Sequence, residues 1–117
     1  MKESILKDKA LDFAAKVIQH YPKFLLNNKE SVVAKQLLRS GTSIGANINE
    51  AIFASSKPDF INKLHIALKE CNESIYWIEL IIRVKTDAIF SDLLSNVNEI
   101  KAMLIASLNT SKKNSIT

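Results

Sequence analysis

Four lysines that recur every seven residues near the start of the chain offer the first chemistry in this sequence. A seven-residue spacing keeps side chains on one slowly drifting face of a helix, and such a row of ammonium groups can follow the phosphates of a nucleic acid. Arg39 in the next segment can add to this basic row, as can Arg83, Lys85, Lys112 and Lys113 further along the chain. The alternative is an ordinary solvated face, because Asp12 precedes Lys16 by four residues and can pair with it locally. The basic row consists of Lys2, Lys9, Lys16 and Lys23.

Residue types that perform catalysis or bind metals occur here without the spacing that such sites need. Ser40 and Ser43 have no local histidine partner and no nucleophile-elbow sequence. Glu70 and Glu73 do not form the Glu-x-x-His pair of di-iron bundles, and the sequence has no glycine-rich phosphate loop. We therefore expect no catalytic residue, no metal and no cofactor, and we interpret the two glutamates as salt-bridge partners between helices or subunits.

The composition favours a helical, cytoplasmic protein of one domain. Of 117 residues 47% are hydrophobic and 24% charged, and only two are glycine and two proline, which is too few for the turns of most all-β folds. The net charge of +4 is mildly basic. Charges near the start argue against a signal peptide, and no stretch reaches the roughly 18 apolar residues of a membrane span. Cys71 has no disulfide partner, so we expect a small buried thiol.

Apolar residues spaced three and four apart predict four helices, over residues 4–21, 29–54, 57–84 and 87–108. Pro22 ends the first helix, Asn27 and Glu30 suit the start of the second, Ser56 starts the third, and Thr86 can cap the fourth. The polar segment 109–117 is expected to fray. Short connections between helices of this length predict an all-α, antiparallel up-down four-helix bundle formed by residues 1–108.

Both glycines of the protein lie inside the second predicted helix. Gly41 and Gly45 are four residues apart and therefore share one side of it. One interpretation is a helix break between Leu38 and Ile44. We favour the other, a close crossing at which the missing side chains let a neighbouring helix approach.

The third predicted helix carries two apolar series on nearly opposite sides, which we call its first and second seams. The first seam is Ile61, Leu64, Leu68, Cys71, Ile75, Ile78 and Ile82. The second seam is Ile66, Glu70, Glu73, Trp77, Leu80 and Val84. One seam fills the core of a bundle, so the second predicts a subunit interface and a homo-oligomer. The alternative is that Trp77 folds over one end of a single core.

A polar stripe follows the flank of the apolar face on the second helix. Its side chains can hydrogen-bond between helices, which is the commoner role of such residues, or can present a polar surface to a ligand. The polar stripe is Gln36, Ser40, Ser43, Asn47 and Glu50.

The same region resembles a known family. The segment from Arg39 to Ala51, RSGTSIGANINEA, closely resembles the signature of the small four-helix-bundle proteins associated with intervening sequences in bacterial 23S rRNA genes. The segments SKPDFI at 56–61 and IALKECNESIYW at 66–77 are similar to the third-helix motif of that family. Phe13, Ala14, Val17 and Pro22 fit its first helix more loosely.

This resemblance implies a similarity to the accessory protein of diversity-generating retroelements, a basic homopentamer that binds nucleic acid and associates with a reverse transcriptase. It therefore implies a pentameric assembly, RNA or DNA as a partner, and a nucleic-acid-processing protein as a further partner. We expect a non-enzymatic oligomeric bundle that binds structured RNA or DNA through a repeated basic surface. The alternative is a protein-interaction or assembly module that does not bind nucleic acid.

Overall fold

The computed structural model describes residues 2–27 and 29–116, with side chains as far as residue 113. Across these residues the chain forms four α-helices, one 3-10 helix and no strand: α1 Lys2–Gln19, the 3-10 helix Tyr21–Phe24, α2 Val32–Ile52, α3 Lys57–Val84 and α4 Ala88–Ile116. Consecutive helices pack against each other, and α4 also packs against α1, in a body of 53 × 20 × 20 Å. The predicted all-α, four-helix architecture is confirmed.

The loop before α2 makes that helix begin at Val32, three residues after the predicted start. Asn27 adopts a positive φ of 48°, and the backbones of Leu26 and Glu30 pair across the turn. The Glu30 carboxylate accepts a hydrogen bond of 2.7 Å from the Val32 N–H, which satisfies one of the free donors of the helix start. Asn28, part of the predicted turn, lies outside the described residues.

The starts of α3 and α4 both depend on a side-chain cap. Ser56 Oγ accepts from the Asp59 N–H at 3.2 Å, as its position in the sequence predicts. At α4, Asp87 rather than Thr86 caps the helix, because its Oδ1 accepts from the Ile89 N–H at 3.0 Å. This hydrogen bond lowers the pKa of Asp87. The expected cap was one residue early because both residue types can serve in this position.

The last helix continues past its predicted end at residue 108 as far as Ile116. No glycine or proline follows residue 108, so nothing in the local sequence stops the helix there. Thr117, the last residue of the predicted tail, lies outside the described residues.

The core consists of one buried stripe from each helix. On α1 it is formed by Leu6, Ala10, Phe13 and Val17, the residues whose spacing predicted the helix. On α2, Leu37, Ile44, Ile48 and Ala51 are buried, whereas the apolar residues Val33 and Ile52 near its two ends are only partly buried. On α4 the stripe is Phe90, Leu93, Val97, Ile100, Leu104 and Leu108.

The buried stripe of α3 lies between the two predicted seams rather than along the first. Its members are Leu64, Ala67, Cys71, Ser74, Ile78 and Ile81. Ile61, Leu68 and Ile75 of the first seam are partly buried, and Ile82 is exposed. The reason is that α3 packs against both α2 and α4, so its most buried line points between those neighbours. Burial of Cys71 raises the pKa of its thiol to about 12.

The helix α2 runs without a break through both of its glycines, and α1 crosses it there. A Cβ atom on Gly41 would lie 3.1 Å from Val17 Cγ2, and one on Gly45 would lie 3.3 Å from Ala10 Cβ. The crossing therefore has no spare room for side chains at these two positions. None of the described helices is long and apolar enough to cross a membrane.

Candidate nucleic-acid interface

The basic row of α1 faces a row of acidic residues on α4. Because α1 and α4 are antiparallel neighbours, successive lysines from α1 into the 3-10 helix meet acids at decreasing positions along α4, ending at Asp87 just before its start. The pairs are Lys9 with Glu99 at 3.0 Å, Lys16 with Asp92 at 3.1 Å and Lys23 with Asp87 at 3.6 Å. Lys16 also donates to the side chain of Asn96 at 2.9 Å. We call this set of ion pairs the α1–α4 ladder.

The ladder leaves little unbalanced positive charge in the groove between α1 and α4. A groove of about 350 Å³ between the two helices is lined by Lys9 and Lys16 but also by Asp12 and Glu99. Lys2, the first member of the basic row, is exposed beside Met103 and Ser107 of α4. Phosphate binding by Lys9, Lys16 or Lys23 would thus compete with an acid of the same chain.

Arg39 is held by the two glutamates of the second seam. Its guanidinium pairs with Glu70 at 3.3 Å and makes a short contact with Glu73, and its Nε donates to Gln36 of the polar stripe at 3.4 Å. The hydrogen bond to Glu73 is the main cause of the raised pKa of Arg39. Trp77 Nε1 donates to the same Glu73 carboxylate at 3.2 Å. The predicted salt bridge of the two glutamates is therefore present between helices of one chain.

The second seam consequently lies on the flank of α3 that faces α2. Its middle is occupied by the Arg39 contacts, and Trp77 packs against the core. Ile66 and Leu80 are partly buried, and only Val84 at the C-terminal end is strongly exposed, at 58%. The second seam was expected to lie nearly opposite the seam that fills the core, but most of it is partly buried, because a 28-residue helix between two neighbours is covered on both flanks.

Within the polar stripe, Ser40 is fully buried and joins α2 to α3. Its hydroxyl accepts a hydrogen bond of 2.8 Å from Ser74 and donates to the Leu37 carbonyl at 3.4 Å. Both serines are 0% exposed. These two residues therefore form a polar clamp inside the apolar interface of the two helices.

The rest of the polar stripe is also engaged within the chain. Ser43 donates to the carbonyl of Arg39 at 2.6 Å, and Asn47 donates to the carbonyl of Ser43 at 2.9 Å. Glu50 pairs with Lys63 of α3 at 3.2 Å. These contacts favour the structural interpretation of the stripe over a ligand-binding one.

The surface that sequence reasoning did not select is the outer strip of α3. Its members are exposed, with alternating spacings of four and three: His65, Lys69, Asn72, Tyr76, Glu79 and Arg83. Lys69, Tyr76 and Arg83 repeat every seven residues, the same signal that selected the basic row of α1. In the part of the chain that the structure describes, neither Lys69 nor Arg83 has an acidic partner.

Tyr76 stands at the centre of the outer strip and forms one wall of a shallow cup. The cup has a volume of about 260 Å³ and is lined by Tyr76, Glu79, Leu80 and Arg83. Tyr76 is 59% exposed, and its ring packs nearly perpendicular to the Trp77 ring, with 5.1 Å between the ring centres. Exposed aromatic rings flanked by cations are typical of surfaces that bind single-stranded nucleic acid.

Among the described residues no three side chains of His, Cys, Asp or Glu come together as metal ligands.

A family profile described as "23S rRNA-intervening sequence protein" matches residues 2–106. The chain belongs to this family. A solved structure from Bacteroides thetaiotaomicron, described as a protein with unknown function from the S23 ribosomal protein family, is 48% identical to this family member. The match covers 93% of this chain and 99% of the chain in that structure, and the TM-score is 0.86. The comparison with curated proteins found no match.

These comparisons confirm the predicted family. The similarity to the retroelement accessory protein, the pentamer and the nucleic-acid partner stay predictions. In this member of the 23S rRNA-intervening sequence proteins, the RSGTSIGANINEA segment supplies the glycine crossing with α1, the serine clamp to α3 and the arginine that holds Glu70 and Glu73.

Proposed function

We propose that this 23S rRNA-intervening sequence protein is a non-enzymatic four-helix bundle that binds structured RNA or DNA through the outer strip of α3. The observation that carries the proposal is the contrast between two rows of the same spacing. Lys9 and Lys16 of α1 and Lys23 of the following 3-10 helix are paired with acids, whereas Lys69 and Arg83 of α3 are exposed and unpaired within the described residues. An unpaired cation binds a phosphate with a more favourable free energy, because no ion pair within the chain has to be broken first.

The charge balance of the whole chain supports the same proposal. In the part of the chain that the structure describes, five of the 16 lysine and arginine residues and six of the 12 acidic residues lie in ion pairs. Eleven cations and six anions therefore remain outside them. This excess is modest for one chain, and the proposed homo-oligomer, with a pentamer favoured by the family resemblance, would repeat it around the assembly.

The outer strip suits contact with a nucleic-acid backbone more than reading of a base sequence in a duplex. Lys69 and Arg83 lie fourteen residues apart, or about 21 Å along a helix. Contacts at this distance bridge several phosphates and position a structured nucleic acid. A structured RNA or DNA, bound in the cytoplasm beside a nucleic-acid-processing protein, is the partner that we propose.

The experiment measures fluorescence anisotropy of labelled hairpin RNA and duplex DNA across a range of salt concentrations. We expect Lys69→Gln/Arg83→Gln to weaken binding and to reduce the slope of log K against log salt by about 1.5, since each lost phosphate contact removes about 0.7–0.9. The matched control is Lys9→Gln/Lys16→Gln, which lowers the net charge equally but removes lysines of the α1–α4 ladder. This control should change the slope much less.

Three results would contradict the proposal in different ways. A larger loss of affinity in the α1 variant would show that the basic row, and not the outer strip, is the interface. Equal losses would show that net charge alone governs binding. No binding by the wild type at low salt would favour the second candidate function, a protein-assembly module.

This second candidate is supported by apolar side chains exposed at one end of the bundle. Val32 in the first turn of α2 and Val84 in the last turn of α3 are 64% and 58% exposed. A second copy of the chain can bury them, and Val84 belongs to the predicted interface. We expect Val84→Glu to lower the mass measured by light scattering, while Ile105→Glu, a control at an exposed position of α4, leaves it unchanged. A wild-type mass of one 13.1 kDa chain would contradict assembly.

A further inference from the structure

The cup between Tyr76, Glu79, Leu80 and Arg83 combines three kinds of contact in a small volume. We propose that it holds one guanine base, presented by an unpaired position of a bound RNA. This inference rests on the proposed nucleic-acid function and assigns a specific role to the outer strip of α3.

The first argument is that the Tyr76 ring, which forms the aromatic wall of the cup, is positioned by a series of contacts that leads back to α2. Arg39 of α2 holds the Glu73 carboxylate, Glu73 accepts the Trp77 N–H at 3.2 Å, and the Trp77 ring supports the Tyr76 ring at 5.1 Å. A ring fixed in this way loses little conformational freedom when a base stacks on it. The residues that support it come from the family signature on α2 and from the third-helix motif.

The second argument is that Glu79 and Arg83 carry opposite charges four residues apart and still form no ion pair among the described residues. A glutamate four residues before a cation is the favourable arrangement for such a pair on a helix. Both groups instead line the cup, so a free carboxylate and a free guanidinium are available to one ligand.

Guanine matches both groups. Its N1–H and N2–H groups can donate to the Glu79 carboxylate, and its O6 and N7 atoms can accept from the Arg83 guanidinium. Adenine presents a lone pair at N1 where the carboxylate needs a donor, and uracil offers a single N–H. The Leu80 side chain adds an apolar surface below the base.

The size of the cup is sufficient for a single flat group such as one base. Its volume of about 260 Å³ lies below the roughly 300–1,000 Å³ of pockets that enclose drug-sized molecules. Lys69 lies seven residues before Tyr76, about 10 Å away along the helix, where it can contact a phosphate next to the bound nucleotide.

The test compares hairpin RNAs with one stem and a loop that contains a single guanine, adenine or uracil in an otherwise identical sequence. Anisotropy is measured for the wild type and for Tyr76→Ala, Tyr76→Phe and Glu79→Gln. The matched control is Asn72→Ala, which lies on the outer strip but outside the cup. Helix content and thermal midpoint of each variant are recorded by circular dichroism.

We expect the wild type to prefer the guanine loop. Tyr76→Ala should weaken its binding about tenfold, whereas Tyr76→Phe, which keeps the ring, and Asn72→Ala should stay near the wild type. Glu79→Gln should remove the preference for guanine over adenine. Guanosine monophosphate should compete only at a large excess, because it lacks the neighbouring phosphate contacts.

Other outcomes separate this inference from the proposed function. Equal binding of all three loops, with no effect of Tyr76→Ala, would overturn the guanine site and leave RNA binding intact. If guanosine monophosphate displaces the RNA at a concentration similar to that of the RNA, the cup binds the free nucleotide as well as the RNA, and RNA as the source of the guanine would be overturned. A lower assembly mass in Tyr76→Ala without a loss of RNA affinity would show that the cup contacts protein. Absence of RNA binding in the wild type would overturn the function itself.

Discussion

The buried serine clamp between α2 and α3 allows a quantitative prediction about stability. Ser74 donates to Ser40 at 2.8 Å, and both side chains are completely buried. In Ser40→Ala the Ser74 hydroxyl loses its acceptor, and a buried unsatisfied hydroxyl costs about 1–3 kcal/mol. Ser74 can turn back toward the carbonyl four residues earlier on its helix, which favours the lower part of this range. We expect a loss of about 1–2 kcal/mol in the free energy of unfolding.

The reverse substitution should be milder. In Ser74→Ala the Ser40 hydroxyl keeps its donation to the Leu37 carbonyl and loses only an accepted hydrogen bond. One such bond contributes about 1 kcal/mol, and alanine recovers part of this through its higher helix propensity. We expect a net loss of about 0.5 kcal/mol.

The double variant Ser40→Ala/Ser74→Ala decides whether the two hydroxyls interact. It removes both polar groups from an apolar interface, so its stability should lie within about 0.5 kcal/mol of the wild type. Urea unfolding followed by circular dichroism gives the four free energies and the coupling between the sites. Destabilisation of the double variant by the full sum of the two single effects would refute the clamp.

Two further predictions concern groups whose pKa is shifted. Because the pKa of Asp87 is lowered, its contribution to stability is present at neutral pH and is lost as the pH falls through that lowered pKa. Asp87→Asn, which keeps an acceptor for the Ile89 N–H, should show a flatter acid unfolding curve than the wild type, and identical curves would contradict this. The Cys71 thiol, with a pKa of about 12, should resist a thiol reagent at pH 8 until the protein is unfolded in guanidinium. Labelling of the native protein at the unfolded rate would show that the thiol is not buried.

The sequence was sufficient to predict the helices because each has a regular apolar stripe and clear boundaries. The stripes of α1 and α4 are buried as their spacing predicted. The predicted helix boundaries were wrong where local backbone geometry, rather than residue type, determines where a helix begins or ends. The start of α2 depends on the positive φ of Asn27, and the end of α4 has no residue that stops a helix.

The candidate site was harder to predict because it depends on which helices are neighbours. Nothing in the spacing of Lys9 and Lys16 reveals that Glu99 and Asp92 lie opposite them on a helix some eighty residues later. The partner of Glu70 and Glu73 was equally hidden, since Arg39 reaches them only when α2 and α3 are aligned. A search of all helices for heptad cations would have added Lys69 to Arg83, but would not have shown that the two are unpaired.

The contacts of α2 explain how one sequence signature can prepare a surface on another helix. The glycines bring α1 close on one side, which fixes the position of α2 in the bundle. Ser40 and Arg39 then hold α3 from the inside and from the flank. Because Arg39 holds Glu73, and Glu73 holds Trp77, a substitution of Arg39 should disturb the Tyr76 ring although the two residues lie on different helices. Arg39→Gln is therefore expected to reduce guanine preference more than Lys9→Gln, even though each variant removes one positive charge.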